Sequence, residues 1–347
     1  MIPTTVLNRV VTASAISAVV AFGPIFSAAI AQQKTALNGA GATFPAPLYE
    51  LYAREVRKKH PNLSINYQGV GSGAGIRQFT AGTVDFGGSD AAMTDEQMAQ
   101  VKRGVILVPT SGGAVSVVYN LSGVKELKLS REALSGIFSG QIKSWDDAQI
   151  KKDNPGVNLP KQAIRPVVRA DSSGTTFIFT NHLSAISPYF KGRIGASTSP
   201  KWTLQNVLKA KGNPGVANSV RSTPGSIGYV EYSFATSNKL NSAQIQNKQG
   251  QFVAPSLQTA NQALSTVEFP KNNRVFVGDP GQGYPIVGMT WMLVYKNYPD
   301  AAKKTAMKDW ITWVLNDGQQ LNDNLNYTRV PAPVAQRVSQ EVNNTLK

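Results

Sequence analysis

No cysteine occurs in the 347 residues, which excludes disulfides, thiolate nucleophiles and cysteine-based zinc or iron–sulfur sites. Histidine is nearly absent too: there are two, and neither falls in an H-x-H or H-E-x-x-H pattern, so no histidine-built metal site is in view. Acidic residues are scarce, with 20 Asp and Glu against 35 Lys and Arg, for a formal charge of +15. Such a charge favours an anionic partner without choosing among nucleic acid, acidic lipid and small inorganic anions. Beyond the N-terminus there is no unbroken apolar run of about 18 residues, the length a spanning helix needs. What is present is an ordinary globular composition, 41% hydrophobic with 30 Gly and 20 Pro, in a chain long enough for two lobes with sizeable cores.

The first 31 residues read as a secretory signal. A single cation, Arg9, precedes an apolar, small-residue stretch through Val20 and Phe26 that ends at Ala29-Ile30-Ala31, a small-x-small cleavage site. A retained membrane anchor is the rival reading, and Pro24 with the interspersed Ser and Gly residues speaks against it. Cleavage there starts the mature chain near Gln32; Arg9 is the only charged residue removed, leaving +14. With no cysteine for lipid attachment, the expectation is a free soluble protein of the periplasm.

Strand and helix patterns alternate along the mature chain. Leu48, Leu51, Tyr52 and Val56 mark a helix between Pro45 and Pro61, and Leu63, Ile65 and Tyr67 alternate as a strand. A short helix through Ile76 and Phe79 follows, then a strand at Val84-Asp85-Phe86. Thr94 and Gln97 have capping-box spacing and open a helix to about Arg103, and Val105 to Pro109 is a buried strand. The alternation predicts an α/β fold with mainly parallel sheets. Gly112-Gly113 punctuates the chain before a new strand at Ala114 to Tyr119, placing a first crossing between lobes near residue 111. Further strands are expected at Ile164 to Arg169, Ile227 to Val230 and Thr290 to Tyr295, with helices opening at Ser173 and running over Ala301 to Leu315 and Gly318 to Leu325. Two lobes result: residues 32–110 with 288–347, and residues 111–287.

Four segments place small polar residues where a strand ends and a helix begins: Gly41-Ala42-Thr43-Phe44-Pro45, Gly71-Ser72-Gly73-Ala74-Gly75, Gly87-Gly88-Ser89-Asp90, and Arg169-Ala170-Asp171-Ser172-Ser173-Gly174-Thr175. Free N–H groups and a partial positive charge make a helix N-terminus an anion site. Taken singly, each segment is adequately explained by Ser and Thr as helix caps and Gly as turn relief. Their recurrence at the carboxyl ends of strands points to a ligand, on which the ends at Thr43, Ser72 and Ser173 could converge. Arg169 with Asp171 has a plain alternative as a structural ion pair, and Asp90 as a helix cap.

Other chemistries fit less well. Gly69-Val70-Gly71-Ser72-Gly73-Ala74 satisfies the dinucleotide pattern, with Asp90 near the position of a ribose-binding acid, but Asp90 follows the end of its strand and an exported protein meets little reduced dinucleotide. Ser173 and His182 are nine residues apart on one helix, about 13 Å at about 1.5 Å per residue, too far for a nucleophile and its base. An exported phosphoester hydrolase is thus unsupported. A basic surface adhesin or polyanion binder rests on charge alone and would lose binding steeply with salt.

The segments above, together with Ile137-Phe138-Ser139-Gly140-Gln141-Ile142-Lys143-Ser144-Trp145-Asp146-Asp147 and Pro224-Gly225-Ser226-Ile227-Gly228-Tyr229-Val230-Glu231-Tyr232, resemble the periplasmic phosphate-binding protein of the phosphate ABC importer, a type II periplasmic binding protein. The resemblance runs in order from about Leu37 to the region of Tyr327 to Pro331. It implies a two-lobed, hinge-closing binder, not an enzyme, that needs no cofactor or metal and no nucleic acid. Such a binder acts as a monomer and delivers inorganic phosphate to membrane permease subunits. Carried over by position, it implies phosphate contacts from Thr43, Phe44, Ser72, Asp90, Arg169, Ser173, Gly174 and Thr175, with Asp171 orienting Arg169. Two departures stand out. Pro285-Ile286-Val287-Gly288 replaces the family's Pro-Ile-Thr-Ser near the second crossing, and Asn238 to Gly281 matches weakly and is expected to be a variable surface loop.

Overall fold

The computed structural model describes residues 34–347; the expected signal segment, residues 1–31 with its cleavage site at Ala29-Ile30-Ala31, lies outside them. Twelve strands are present among the described residues. β1 (Thr35–Gly41), β2 (Leu63–Gly69), β3 (Phe86–Ser89) and β4 (Val105–Tyr119) come first, followed by a short β5 (Lys128–Leu129). Then come β6 (Arg165–Arg169), β7 (Leu208–Ala210), β8 (Ser226–Glu231), β9 (Asn241–Ser242), β10 (Gln244–Gln246), β11 (Phe252–Val253) and β12 (Val287–Tyr295). The main sheet runs β2-β1-β3-β12-β4-β8-β6-β7, with β9 also on β4, and a small sheet runs β11-β10-β5.

Two parallel blocks make up the main sheet. β1 pairs in parallel with β2 and β3, and β6 in parallel with β7 and β8. Between them β12 and β4 run antiparallel to their neighbours. Each block is one lobe, and helices such as Ala46–Val56 and Ser72–Ala81 in the first and Gly174–Ile186 and Gly212–Ser222 in the second return the chain between its parallel strands.

β4 corrects the expectation of two strands separated by glycines. It is one strand of 15 residues, all buried, that pairs with β12 over Val105 to Ala114 and with β8 over Val115 to Tyr119. Gly112 and Gly113 stay in the ladder, and the irregularity falls one step earlier, where the register with β12 shifts between Thr290 and Trp291. The glycines mark close approach instead: a Cβ on Gly113 would lie 3.1 Å from Phe44 Cζ.

Smaller differences follow the same logic of tertiary context overriding local pattern. The capping box of Thr94 and Gln97 forms, but the helix it opens ends at Ala99. The strand expected at 84–86 is displaced to Phe86–Ser89, and Asp317–Leu325 is a 3-10 helix. Asn238 to Gly281 is not simply a loop: it holds β9, β10, β11 and the helix Leu257–Leu264, which Ser256 and Thr259 cap. The departure at Val287-Gly288 has a packing reason, since a Cβ on Gly288 would come within 2.4 Å of Ile178 Cδ1. The main core reaches into both lobes and is filled by large side chains including Trp145, Trp291, Trp310, Tyr49 and Tyr229, while a smaller cluster around Val167, Val216 and Val220 lies in the second lobe. Among the described residues no helix is long and apolar enough to cross a membrane.

Candidate functional site

The four polar segments meet where the two lobes face each other. Thr43 and Phe44 occupy the turn after β1, held by Ala42 N–H donating to the Gly88 carbonyl (2.9 Å) and by Tyr67 Oη donating to the Ala42 carbonyl (2.8 Å). Ser72 begins the helix after β2, preceded by Gly71 at φ +94°, a conformation that favours glycine; a Cβ there would also strike Asp171 Oδ2 at 2.3 Å. Asp90 is the first residue past β3. Arg169 ends β6, and Ser173 caps the helix Gly174–Ile186 by accepting from Thr176 N (3.0 Å). All four lie at carboxyl ends of parallel strands.

Ser72 ties three segments together. Its Oγ accepts from Asp90 N (3.2 Å) and from Gly174 N of the opposite lobe (3.0 Å). With both lone pairs used, the hydroxyl can only donate. Gly174 must be glycine for this approach, since a Cβ would lie 2.5 Å from Ser72 Oγ and 2.6 Å from Asp90 Cβ. The dinucleotide-like loop is already engaged: Gly73 N donates to the Ser172 carbonyl at 3.0 Å.

Arg169 and Asp171 form the expected pair. Arg169 Nε donates to Asp171 Oδ1 (2.8 Å) and Nη2 to Oδ2, while Gly212 N also donates to Asp171 Oδ1 (3.0 Å). Burial alone would raise the Asp171 carboxyl, but the hydrogen bonds and charge of Arg169 outweigh it and hold the group below its ordinary range. An ion pair therefore exists, yet it does not exhaust the guanidinium: Arg169 Nη1 is buried and has no hydrogen-bond partner.

Asp90 is the counterpart on the first lobe. Its Oδ1 accepts from Thr290 Oγ1 at 2.8 Å, and Thr94, not Asp90, caps the next helix, which removes the capping alternative. Burial pushes its carboxyl up to about 7, against the opposing pull of the Thr290 hydrogen bond, the Arg169 charge and Ser72. Phe44 has a fully buried side chain, so only its backbone is offered to a ligand; its carbonyl accepts from Tyr327 Oη at 2.6 Å.

A fifth segment escaped the sequence reading. At the end of β7, Gly212-Asn213 opens the helix Gly212–Ser222, and Asn213 is completely buried. Its N and Nδ2 both donate to Thr43 Oγ1 (3.1 and 3.0 Å), Nδ2 also donates to Thr175 Oγ1 (3.1 Å), and Oδ1 accepts from Glu231 N (3.0 Å). Glu231 is itself buried, with Tyr327 Oη within hydrogen-bonding distance of its Oε2 (2.9 Å), and burial, opposed by the bonds from Ser233 and Tyr327, pushes its carboxyl up to about 8. The available signal was the joint itself, since shortly after β7 ends at Ala210 the helix starts with Gly212-Asn213-Pro214-Gly215.

His182, the one histidine that a catalytic reading would use, is elsewhere. It is buried in the helix Gly174–Ile186 with Nδ1 against the Gly278 carbonyl (2.8 Å), and burial lowers its pKa to about 4.

The assembled site thus offers a charged donor, hydroxyl and backbone donors at helix starts, and one carboxylate, all out of water. Comparison with known proteins agrees in family. A sequence-family model described as a PBP superfamily domain matches residues 27–318. The phosphate-binding protein PstS of Pasteurella multocida is 37% identical over 325 residues, 92% of this chain and 93% of that protein. Its namesake from Methanocaldococcus jannaschii is 39% identical over 306 residues, 81% of this chain and 78% of that protein. Among solved structures, a high affinity periplasmic phosphate-binding protein bound with phosphate matches in fold with a TM-score of 0.76 at 24% identity, covering 88% of this chain and 93% of that one. With coverage of this extent at this identity, the chain belongs to the PBP superfamily and, within it, to the family of the phosphate-binding proteins PstS.

Proposed function

We propose that the protein captures inorganic phosphate in the cleft between its lobes and delivers it to the permease subunits of an ABC importer. One observation carries this reading: a buried guanidinium, fixed by Asp171, keeps Nη1 without a partner in the same cleft as the buried carboxylate of Asp90. A bare anion would suit the first group and clash with the second. Phosphate near neutral pH keeps at least one proton, so it can accept from Arg169, Ser72, Thr43, Thr175 and the helix-start N–H groups while donating to Asp90. Ser173 caps the helix start, Gly174, whose own N–H goes to Ser72, allows the close approach there, and Phe44 supplies a backbone group.

The protein acts as a binder, not as an enzyme, and needs no cofactor or metal. It works as an exported monomer, cleaved near Ala31, without a nucleic-acid partner. The lobe boundaries fall near residues 111 and 287, a division supported by the change of partner along β4 from β12 to β8. Calorimetric titration of the phosphate-stripped protein with phosphate and sulfate in parallel tests the reading. Saturable phosphate binding that survives physiological salt is expected, because groups in a closed cleft are screened far less than exposed ones. Binding that collapses between low and physiological salt, or sulfate binding of equal strength at neutral pH, would refute it.

A further inference from the structure

We propose that Asn213 is a positioning residue that fixes the hydroxyls of Thr43 and Thr175 as hydrogen-bond donors toward the ligand and clasps the two lobes together. The inference rests on the phosphate reading above and adds a residue to it. Hydrogen-bond counting leads to it. Glu231 N can only donate, so the Asn213 oxygen must face it (3.0 Å), and the orientation of the amide is fixed. The NH2 group then has to face the threonines, and its protons go to Thr43 Oγ1 (3.0 Å) and Thr175 Oγ1 (3.1 Å). Thr43 Oγ1 takes a further N–H from the Asn213 backbone at 3.1 Å, which fills both of its lone pairs. Thr43 is left with a proton to give and nothing with which to accept; Thr175 has one lone pair occupied on the same side.

An oxyanion needs donors, and a threonine hydroxyl left to itself presents a proton or a lone pair with equal ease. Asn213 removes that choice without touching the ligand. The bond to Thr43 also crosses between lobes, since Thr43 follows β1 and Asn213 follows β7, so the donor geometry is complete only when the lobes are together. Asn213, Thr43 and Thr175 are all buried.

The test is a double-mutant cycle read by calorimetry with inorganic phosphate, using wild type, Asn213→Ala, Thr175→Val and the double variant. Asn213→Ala is expected to weaken binding by about tenfold to a hundredfold, the range set by one or two buried hydrogen bonds. In the Thr175→Val background the same change should cost clearly less, because part of its effect passes through that hydroxyl. A purely structural role would lower the melting temperature of the ligand-free protein and give additive losses. Should the alanine variant not fold, Asn213→Asp has the same size and can still accept from Glu231 N, but offers the threonines an acceptor, and the same weakening is expected. Wild-type affinity in either variant, or additivity in the cycle, overturns the inference. Absence of phosphate binding by wild type overturns the phosphate reading with it, so the two failures are told apart.

Discussion

On the wall built around β6 and β7, the carboxylate of Asp171 lies against Arg169 with two hydrogen bonds and a third from Gly212 N, and its acidity is held below the ordinary range. On the wall built around β1, β2 and β3, Asp90 is equally close to the cleft but is given a hydroxyl, Thr290, in place of a cation, and burial lifts it to about 7. The pairing on the first wall makes a permanent charge of fixed direction. The lack of one on the second leaves a group that wants a proton. On the phosphate reading proposed above, a ligand that is both an anion and a proton donor suits the two walls while Asp90 is ionised, and the difference in how they treat a carboxylate is the feature expected to discriminate between oxyanions of similar size.

Removing the fixed charge is the most severe way to break this contrast. Arg169→Ala is expected to weaken phosphate binding by about 2 to 4 kcal/mol, from the loss of a buried charge-assisted contact. An unchanged dissociation constant in calorimetry would mean that the guanidinium does not reach the ligand. Asp90→Asn comes next. It should move the phosphate-to-sulfate affinity ratio by about 1 to 3 kcal/mol, the cost of an unsatisfied buried acceptor, and change phosphate affinity itself by less. A ratio that does not shift removes the selectivity role.

Acidification should erase part of the same contrast without mutation. Below about 7 Asp90 takes up a proton and becomes a donor, so sulfate affinity is expected to rise as pH falls through that value. Titrations with sulfate at successive pH values check this, and a flat profile contradicts it. The smallest effect concerns Glu231, which bridges the walls through Tyr327. Its ordinary pKa is 4.5 and its folded value about 8, so the folded chain holds this proton more tightly than the unfolded one. Stability therefore falls as pH rises across that window, by at most about 1.4 kcal/mol per pH unit for a single group. Asp90 contributes with the same sign from 3.8 to about 7. In thermal melts of ligand-free protein, Glu231→Gln should flatten the slope; an unaltered slope would show that Glu231 is not the titrating group.

Much of the site was legible because it is written at joints between strands and helices, where Gly, Ser and Thr have local reasons to occur. Ser72, Asp90, Arg169 and Ser173 each sit at such a joint, and their families of turn residues are contiguous in sequence. Asn213 and Glu231 act only through partners that the fold supplies: Thr43 is 170 positions from Asn213, and Tyr327 is 96 from Glu231. Nothing local distinguishes such an Asn from a helix-start residue. In the fold, strands and helices with a regular apolar period were readable, as with Ala301–Leu315. The sequence alone divides β4 at its glycines, because a turn and a close approach look alike without the neighbour, here Phe44. The second departure, at Val287-Gly288, likewise makes sense only once Ile178 is seen against it.

The unbroken course of β4 has a mechanical consequence. Because one strand serves both blocks, opening the cleft cannot be a sliding of two separate bodies; it has to be a bend or twist within a shared rod. The one interruption of that rod's ladder with β12 is the register shift beside Thr110, just ahead of the closely packed Gly112 and Gly113, and it is there that a bend costs the fewest ladder bonds. A bend there is the expected way for Thr43 of one lobe and Arg169 of the other to part.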